Sequence, residues 1–218
     1  MKIRKFSSLI FLLFAFVFLA ACNKDQIDQK SSDKMNEKKE ALSESDKKTT
    51  ENKEVSNKTS DDLKLYTIEK VEKLGGKKIA PNFTWTENGK SMSLKDLKGN
   101  VVVVNMWATW CGPCIKEMPD LSKLSEELKD KKFKMLGMNV FQQDGSKNVG
   151  DFLKTNPVSY TILDGNQEVV DAFSEANGSN IEAVPTTFVI DKEGKIAETI
   201  VGGRSKDAFI KIIEKYMN

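Results

Sequence analysis

Residues 101–114 read VVVVNMWATWCGPC, a run of β-branched residues followed closely by two cysteines that are separated by two residues. The apolar run is typical of a central strand that is covered on both faces of a sheet. Apolar residues at helical spacing after it, among them Ile115, Met118 and Leu121, predict a helix that begins inside the cysteine pair. A helix start offers unpaired backbone N–H groups and the positive end of a dipole, and both favour thiolate over thiol. The stretch therefore predicts a dithiol that exchanges with other disulfides.

The net charge, the lack of histidine and the small number of cysteines argue against several classes of function. The chain has 218 residues, a formal net charge of +2 and no histidine. This charge gives no reason to expect a nucleic acid as partner, and the commonest general base and metal ligand is absent. Only Cys22, Cys111 and Cys114 carry thiols, so we expect no disulfide scaffold, no metal and no cofactor. A zinc ion shared by the cysteine pairs of two chains is the metal alternative that remains.

The N-terminus has the pattern of an export signal. Basic residues in the first five positions precede an apolar run over residues 9–21, which is shorter than the roughly 20 residues of a membrane span. The run ends in LAAC, and small residues before Cys22 resemble the lipobox of bacterial lipoproteins. We therefore expect residues 1–21 to be removed and Cys22 to be acylated, which attaches the chain to the lipid bilayer on its extracytoplasmic face. The alternative is an ordinary secretory signal with an incidental cysteine.

The next segment has a different composition. From residue 23 to residue 65 it is dense in Lys, Glu, Asp, Ser and Asn and has no aromatic residue. Such a segment has too little apolar surface to offset its chain entropy. We therefore expect a flexible tether over residues 22–70, with a reach of roughly 35–40 Å, and a folded domain over residues 71–218. The alternative is a solvated helix that belongs to the domain.

The pattern of the folded region alternates between strands and helices. Asn88-Gly89 between two short β-rich runs predicts a hairpin. Further strands are expected over residues 133–140, 158–163, 186–190 and 195–201, and helices over residues 147–154, 167–176 and 205–216. This order predicts an α/β sandwich with a mixed sheet.

Three segments resemble a known family. WATWCGPC followed by IKEMPDL, and later VPTTFVID with a downstream Gly-Gly, is similar to the thioredoxin superfamily, and more narrowly to its TlpA/ResA-like branch of extracytoplasmic, membrane-attached proteins. The resemblance covers roughly residues 79–218. It implies a three-layer sandwich around a central mixed β-sheet, with an N-terminal β-hairpin extension. It also implies an extra strand and helix between residues 139 and 180.

The cysteine pair has two different expected roles. Cys111 lies where the helix begins, so we expect it to be the nucleophile, and Cys114, one turn further in, to resolve the mixed disulfide. Gly112 and Pro113 allow the tight turn at the helix start. In thioredoxin the same dipeptide accompanies a reduction potential of roughly −270 mV, which favours reduction over oxidation of substrates. Trp110 is expected to present apolar surface to a protein substrate.

The resemblance also implies roles for more distant residues. Pro185 matches a cis-proline that faces the dithiol, where the backbone of Val184 pairs with an incoming peptide. The alternative is a trans proline at a strand start. Asn105 matches a buried aspartate of thioredoxin but cannot titrate, whereas the TlpA/ResA-like branch has a glutamate at Glu117. We expect a raised pKa there and exchange of the Cys114 proton; a solvated first-turn glutamate is the alternative.

Together these features predict a lipid-anchored, monomeric thiol–disulfide oxidoreductase that reduces disulfides in exported proteins. In the family that it resembles, substrates include apocytochrome c, and a membrane thiol transporter supplies the electrons. The alternatives are an oxidant that forms disulfides and an electron donor to an extracytoplasmic repair or peroxide-removing enzyme. Copper delivery is disfavoured by the lack of histidine, and peroxidase activity by the context of the cysteines. A lipoprotein that keeps the fold without the chemistry is the remaining alternative.

Overall fold

The computed structural model describes residues 62–217, so the predicted signal, Cys22 and most of the predicted tether lie outside the described residues. The strands are β1 (Leu65–Thr67), β2 (Lys70–Glu72), β3 (Asn82–Glu87), β4 (Lys90–Ser93), β5 (Val101–Trp107), β6 (Phe133–Asn139), β7 (Thr161–Asp164), β8 (Thr186–Ile190) and β9 (Ile196–Val201). The helices are α1 (Gly112–Leu128), α2 (Val149–Thr155), α3 (Gln167–Asn177) and α4 (Lys206–Met217). A 3₁₀ helix, Leu94–Leu97, precedes β5.

Strand β5 organises the central sheet. The strand order is β1-β7-β6-β5-β8-β9; β1, β7, β6 and β5 run parallel, and β8 and β9 are antiparallel to their neighbours. All residues of β5 are buried, as expected for a strand covered on both faces. Val101 and Val103 belong to the core cluster that includes α1, α2 and α4, whereas Val102 and Val104 belong to the cluster that includes α3. The predicted three-layer sandwich with a mixed sheet is confirmed.

The smaller sheet contains the predicted hairpin. Strands β3 and β4 pair with each other and are connected by a turn of Asn88 and Gly89, both of which have positive φ. Strand β2 adds a third antiparallel strand. Ser93 caps the 3₁₀ helix by accepting a hydrogen bond from the Asp96 backbone N–H, which satisfies one of the free donors of a helix start. The small sheet therefore covers one face of the domain and leads directly into β5.

The folded region begins earlier than the expected boundary at residue 71. Residues 65–70, which were expected in the tether, include β1, whose Leu65 and Tyr66 pair with Ile162 and Leu163 of β7. The start of β2 lies in the same segment and pairs with β3. Both strands have only three residues, and their pairing depends on partners further along the chain. Local composition therefore gave no signal for them.

The extra elements between β6 and β8 are α2, β7 and α3, and β7 lies between β6 and β1. The largest difference from the expected bounds is in β7, which begins at Thr161 rather than at residue 158; the other stated bounds differ by at most two residues. Gly178, with φ 77°, ends α3 by donating its N–H to Ser174 and Glu175. Within residues 62–217, no helix combines the length and the apolar content that crossing a membrane requires.

Candidate active site

The two cysteines lie where β5 has ended and α1 begins. Cys111 and Cys114 are joined in a disulfide. Cys111 is the N-cap of α1, and its Sγ lies 3.2 Å from the backbone N of Cys114. Gly112 and Pro113 are exposed in the turn between them, whereas Cys114 is fully buried. The arrangement gives the pair an outer and an inner sulfur, and the N–H of Cys114 points at the outer one.

This geometry has a chemical consequence. After reduction, a thiolate at Cys111 accepts the N–H of Cys114 as a charge-assisted hydrogen bond, at the positive end of the α1 dipole. Both cysteines belong to the core cluster with Trp107 and Met118, but Cys111 keeps 4% exposure whereas Cys114 has none, so burial disfavours a charge most at Cys114. This geometry favours the outer sulfur as a nucleophile over the inner one.

The loop before β8 lies against the dithiol. The carbonyl O of Val184 is 3.5 Å from the Sγ of Cys111, and the Val184–Pro185 peptide bond is cis. The backbone N–H of Gly202, which follows β9, donates to the Pro185 carbonyl O at 2.8 Å. The structure thus places the expected proline loop beside the outer sulfur, although it lies 73 residues from it in sequence.

An exposed indole lies next to the pair. The Trp110 side chain is 43% exposed, and its Nε1 donates to the Phe141 carbonyl O at 2.8 Å. This hydrogen bond fixes the ring while leaving apolar surface open beside Cys111. Trp107, by contrast, is fully buried.

Glu117 is buried rather than solvated; only 5% of the residue is exposed. Its Oε1 accepts a hydrogen bond from Asn105 Nδ2 at 2.9 Å, and its Oε2 accepts one from the Arg204 backbone N–H at 3.2 Å. Burial raises the pKa of Glu117, and the hydrogen bonds from Asn105 and Arg204 oppose that rise without cancelling it. The carboxyl is therefore held in place and poised to carry a proton.

The segment 202–204 was missed as part of this site. Its Gly-Gly contributes to the family resemblance, but the sequence alone indicates no role for it. A Cβ on Gly203 would lie 3.2 Å from Glu117 Oε2, so the absence of a side chain there lets the loop approach the carboxylate. A surface depression of about 390 Å³ is lined by both residues together with Pro113 and Lys116. The Glu117 side chain therefore borders an open depression at the surface.

Two further polar side chains near Glu117, those of Thr187 and Tyr160, were also missed. Asn105 Nδ2 donates to Thr187 Oγ1 at 2.9 Å as well as to Glu117. The Tyr160 hydroxyl is buried without a partner among the described residues, and burial, then the charge of Glu117, raises its pKa. Long-range pairs of this kind leave no local signal in a sequence. Over residues 62–217 no cluster of three or more His, Cys, Asp or Glu side chains is placed to hold a metal.

Comparison with known proteins agrees with this geometry. The Redoxin family profile matches residues 74–215. The thiol-disulfide oxidoreductase ResA of Bacillus cereus is 34% identical over 146 residues, which cover 66% of this chain and 80% of ResA.

Solved structures give the same result. A thiol:disulfide interchange protein of the thioredoxin family from Chlorobium tepidum has a TM-score of 0.58 and 33% identity, over 66% of this chain and 99% of that one. The pneumococcal exposed lipoprotein thioredoxin Etrx1 from Streptococcus pneumoniae has a TM-score of 0.51 and 26% identity, over 62% of this chain and 98% of that one.

A cysteine pair at a helix N-terminus, on this sheet and beside a proline loop, defines a thiol–disulfide oxidoreductase with the thioredoxin fold. The chain belongs to the Redoxin family and, within it, to the TlpA/ResA-like branch. The predicted family, fold and enzyme class are confirmed.

Proposed function

We propose that this chain is a lipid-anchored, extracytoplasmic reductase of protein disulfides. The observation that supports this most is the arrangement of the Cys111–Cys114 disulfide, with an outer sulfur at a helix N-terminus and an inner sulfur that is fully buried. Such a pair can attack with one sulfur and resolve with the other.

The proposed cycle conserves electrons and protons. The Cys111 thiolate attacks one sulfur of a substrate disulfide, a mixed disulfide forms and the other substrate sulfur leaves as a thiolate. Cys114 then loses its proton and attacks Cys111, and the second substrate sulfur leaves. The substrate gains two electrons, the enzyme disulfide re-forms, and an external thiol donor must reduce it again.

Glu117 is proposed to take up and return the proton of Cys114. A buried carboxyl with a raised pKa exchanges protons nearer neutral pH than a solvated one. The hydrogen bonds from Asn105 and Arg204 hold the carboxyl in position near the start of α1. The depression shared with Gly203 supplies the exchange with water.

A substrate peptide is proposed to lie across Trp110, the exposed turn of Gly112 and Pro113, and the loop of Val184 and Pro185. Support comes from the exposed indole and from the 3.5 Å between the Val184 carbonyl O and the outer sulfur. An extended chain placed there pairs with backbone rather than with particular side chains. That mode accepts many sequences around a disulfide.

The setting of the reaction follows from the resemblance and the N-terminal sequence. We propose cleavage after residue 21, acylation of Cys22, a tether before the domain and a monomeric enzyme. The description of Etrx1 as an exposed lipoprotein supports the anchor. Apocytochrome c as substrate, and a membrane thiol transporter as electron donor, are proposed from the TlpA/ResA-like resemblance.

Trapping tests the proposal. A Cys114→Ser variant of the full chain should hold its substrates in mixed disulfides through Cys111, and mass spectrometry of the adducts identifies them. The matched control, Cys111→Ser with Cys114→Ser, should trap none. A trapping variant that collects no exported protein contradicts the proposed function, and a reduction potential above about −150 mV contradicts the reductive direction.

A further inference from the structure

One end of the domain carries a concentration of lysines. We define the basic end as Lys98, Lys129, Lys131, Lys132 and Lys134, all of which are exposed. Lys129 reaches Glu126 at 3.8 Å, and over residues 62–217 the other four form no ion pair with a carboxylate.

The topology brings these lysines together. Lys98 directly follows the 3₁₀ helix that leads into β5, and Lys131 and Lys132 directly precede β6. The Val101 N–H donates to the Lys132 carbonyl O at 2.9 Å, which joins the two strand starts. Because β5 and β6 are parallel, both begin at the same edge of the sheet.

Opposite charges do not neutralise this end. Asp130 lies within the lysine run, and Glu214 lines a shallow depression with Lys131 and Lys132. The turn between β8 and β9 reads DKEGK and contributes equal numbers of each sign. Glu126 pairs with Lys129, and the exposed Asp96 lies two residues before Lys98, so the five lysines outnumber these four carboxylates by one.

The dithiol lies at the other end. Cys111 follows the last residue of β5, whereas the basic end surrounds its first residue. Seven residues of strand separate the two ends by roughly 20 Å. Charged residues that line the depression beside Pro113 have both signs: Lys116 and Arg204 with Glu117 and Asp120.

The segment that precedes the domain joins it at β1, an edge strand of the central sheet. Leu65 pairs with Ile162, Ile162 with Gly137 and Gly137 with Asn105, so the chain enters the sheet level with the second half of β5. Cys22, the proposed acylation site, is 40 positions upstream of Asp62. A tether of this length keeps the domain at a high local concentration near its bilayer, so weak attraction is enough to orient it.

From this placement we propose that the basic end docks on the anionic surface of the membrane that holds the anchor, with the dithiol facing away from the bilayer. The inference rests on the proposed acylation of Cys22. Lysines within a Debye length of an anionic bilayer are attracted to it, and each contributes about fivefold in binding. A docked domain presents Cys111 to proteins that approach from the extracytoplasmic space.

Vesicle binding tests the surface without the anchor. The mature chain with Cys22→Ser is mixed with vesicles of phosphatidylglycerol and phosphatidylcholine, or of phosphatidylcholine alone, at low and high salt. Binding is expected only to the anionic vesicles at low salt. The triple variant Lys131→Gln, Lys132→Gln, Lys134→Gln should bind on the order of 100-fold more weakly. The control triple Lys90→Gln, Lys147→Gln, Lys211→Gln makes the same change in net charge at exposed lysines outside the basic end, and should lose less than about threefold.

Three outcomes overturn the proposal: no preference for anionic vesicles, equal losses in both triple variants, or lysine-dependent binding to a soluble polyanion with none to vesicles. The last outcome points to an anionic cell-wall polymer instead. Reduction of a soluble disulfide substrate, measured without vesicles, should be the same in both triple variants. If the unmodified chain does not reduce the soluble substrate, the proposed function is contradicted. The vesicle measurements still test the proposed docking, because they do not depend on that activity.

The acylated full chain provides a second readout. Anchored to anionic vesicles, it is treated briefly with an amine-acylating reagent, and the modified lysines are quantified by mass spectrometry. Protection of Lys131, Lys132 and Lys134 relative to the control lysines is expected, and it should disappear on neutral vesicles. Equal modification of both groups on anionic vesicles contradicts the proposed orientation.

Discussion

The two halves of β5 are buried equally but have different neighbours. Residues 101–104 are all valine and pack among apolar side chains on both faces of the sheet. Asn105 and Trp107, in the second half, bring polar atoms into the core: the Asn105 amide bonds to Glu117 and Thr187, and Trp107 Nε1 has no partner among the described residues. The comparison shows that this strand supplies packing at one end and positioned polar groups at the end that leads to the dithiol.

The largest effect on stability is expected in the apolar half. Leu136, which pairs with Val104 and is 3% exposed, packs in the core cluster with Phe188. Leu136→Ala should lower the free energy of unfolding by about 2–5 kcal/mol, because it removes buried methyl groups and leaves a cavity. Urea unfolding measures the loss. The reduction potential of the folded variant should stay unchanged, and a shift in that potential would show that the two halves are not separable.

A smaller loss is expected in the polar half. Asn105→Ala removes the donor to Glu117 Oε1 and to Thr187 Oγ1, and should cost about 1–3 kcal/mol because buried acceptors lose their partner. Unlike Leu136→Ala, it should also raise the pKa of Glu117 further, since the Asn105 hydrogen bond lowers that pKa. Infrared titration of the carboxyl measures the shift. An unchanged titration would mean that Asn105 only fills space.

The sequence predicted the elements that have a local pattern but not the contacts between residues far apart in the chain. The valine run, the helix stripe and the hairpin at Asn88 have local patterns, and the structure contains all three elements. The cysteine pair was found from its motif. The contact between the Arg204 backbone and Glu117 joins residues 87 positions apart, and the partners of β1 are similarly distant. Neither contact has a local pattern, because each depends on how the layers pack.

The pH dependence of the free energy of unfolding also distinguishes the polar half of β5, which contacts Glu117, from the apolar half. Burial raises the pKa of Glu117 in the folded state above its ordinary value of 4.5. A carboxyl with a raised folded pKa contributes stability that is fully present below the unfolded pKa and is lost as pH rises through the folded pKa. Glu117→Gln cannot ionise, so it should gain stability relative to the original chain as pH rises from 4 to 8. It should also slow resolution by Cys114.

Unfolding curves at several pH values measure the difference for Glu117→Gln. Glu214→Gln makes the same substitution at an exposed position and is the control for the exchange itself. A pH-independent difference at Glu117 would contradict ionisation of a buried carboxyl. If Glu117→Gln changes neither the titration of the thiols nor turnover, the proposed proton transfer is wrong. That result would not contradict the burial of the carboxyl.

The smallest effect is expected from a buried hydroxyl near the polar half. Tyr160 OH has no partner among residues 62–217, whereas Tyr216 OH donates to Glu198 Oε1 at 2.9 Å. Removing a hydroxyl that makes no protein hydrogen bond costs little, while breaking a made one costs about 1 kcal/mol. Tyr160→Phe should therefore change the free energy of unfolding by less than about 0.5 kcal/mol, and Tyr216→Phe should lower it by about 1 kcal/mol. A larger loss from Tyr160→Phe, accompanied by a shift in the pKa of Glu117, would show that the hydroxyl belongs to the polar network rather than to the packing around it.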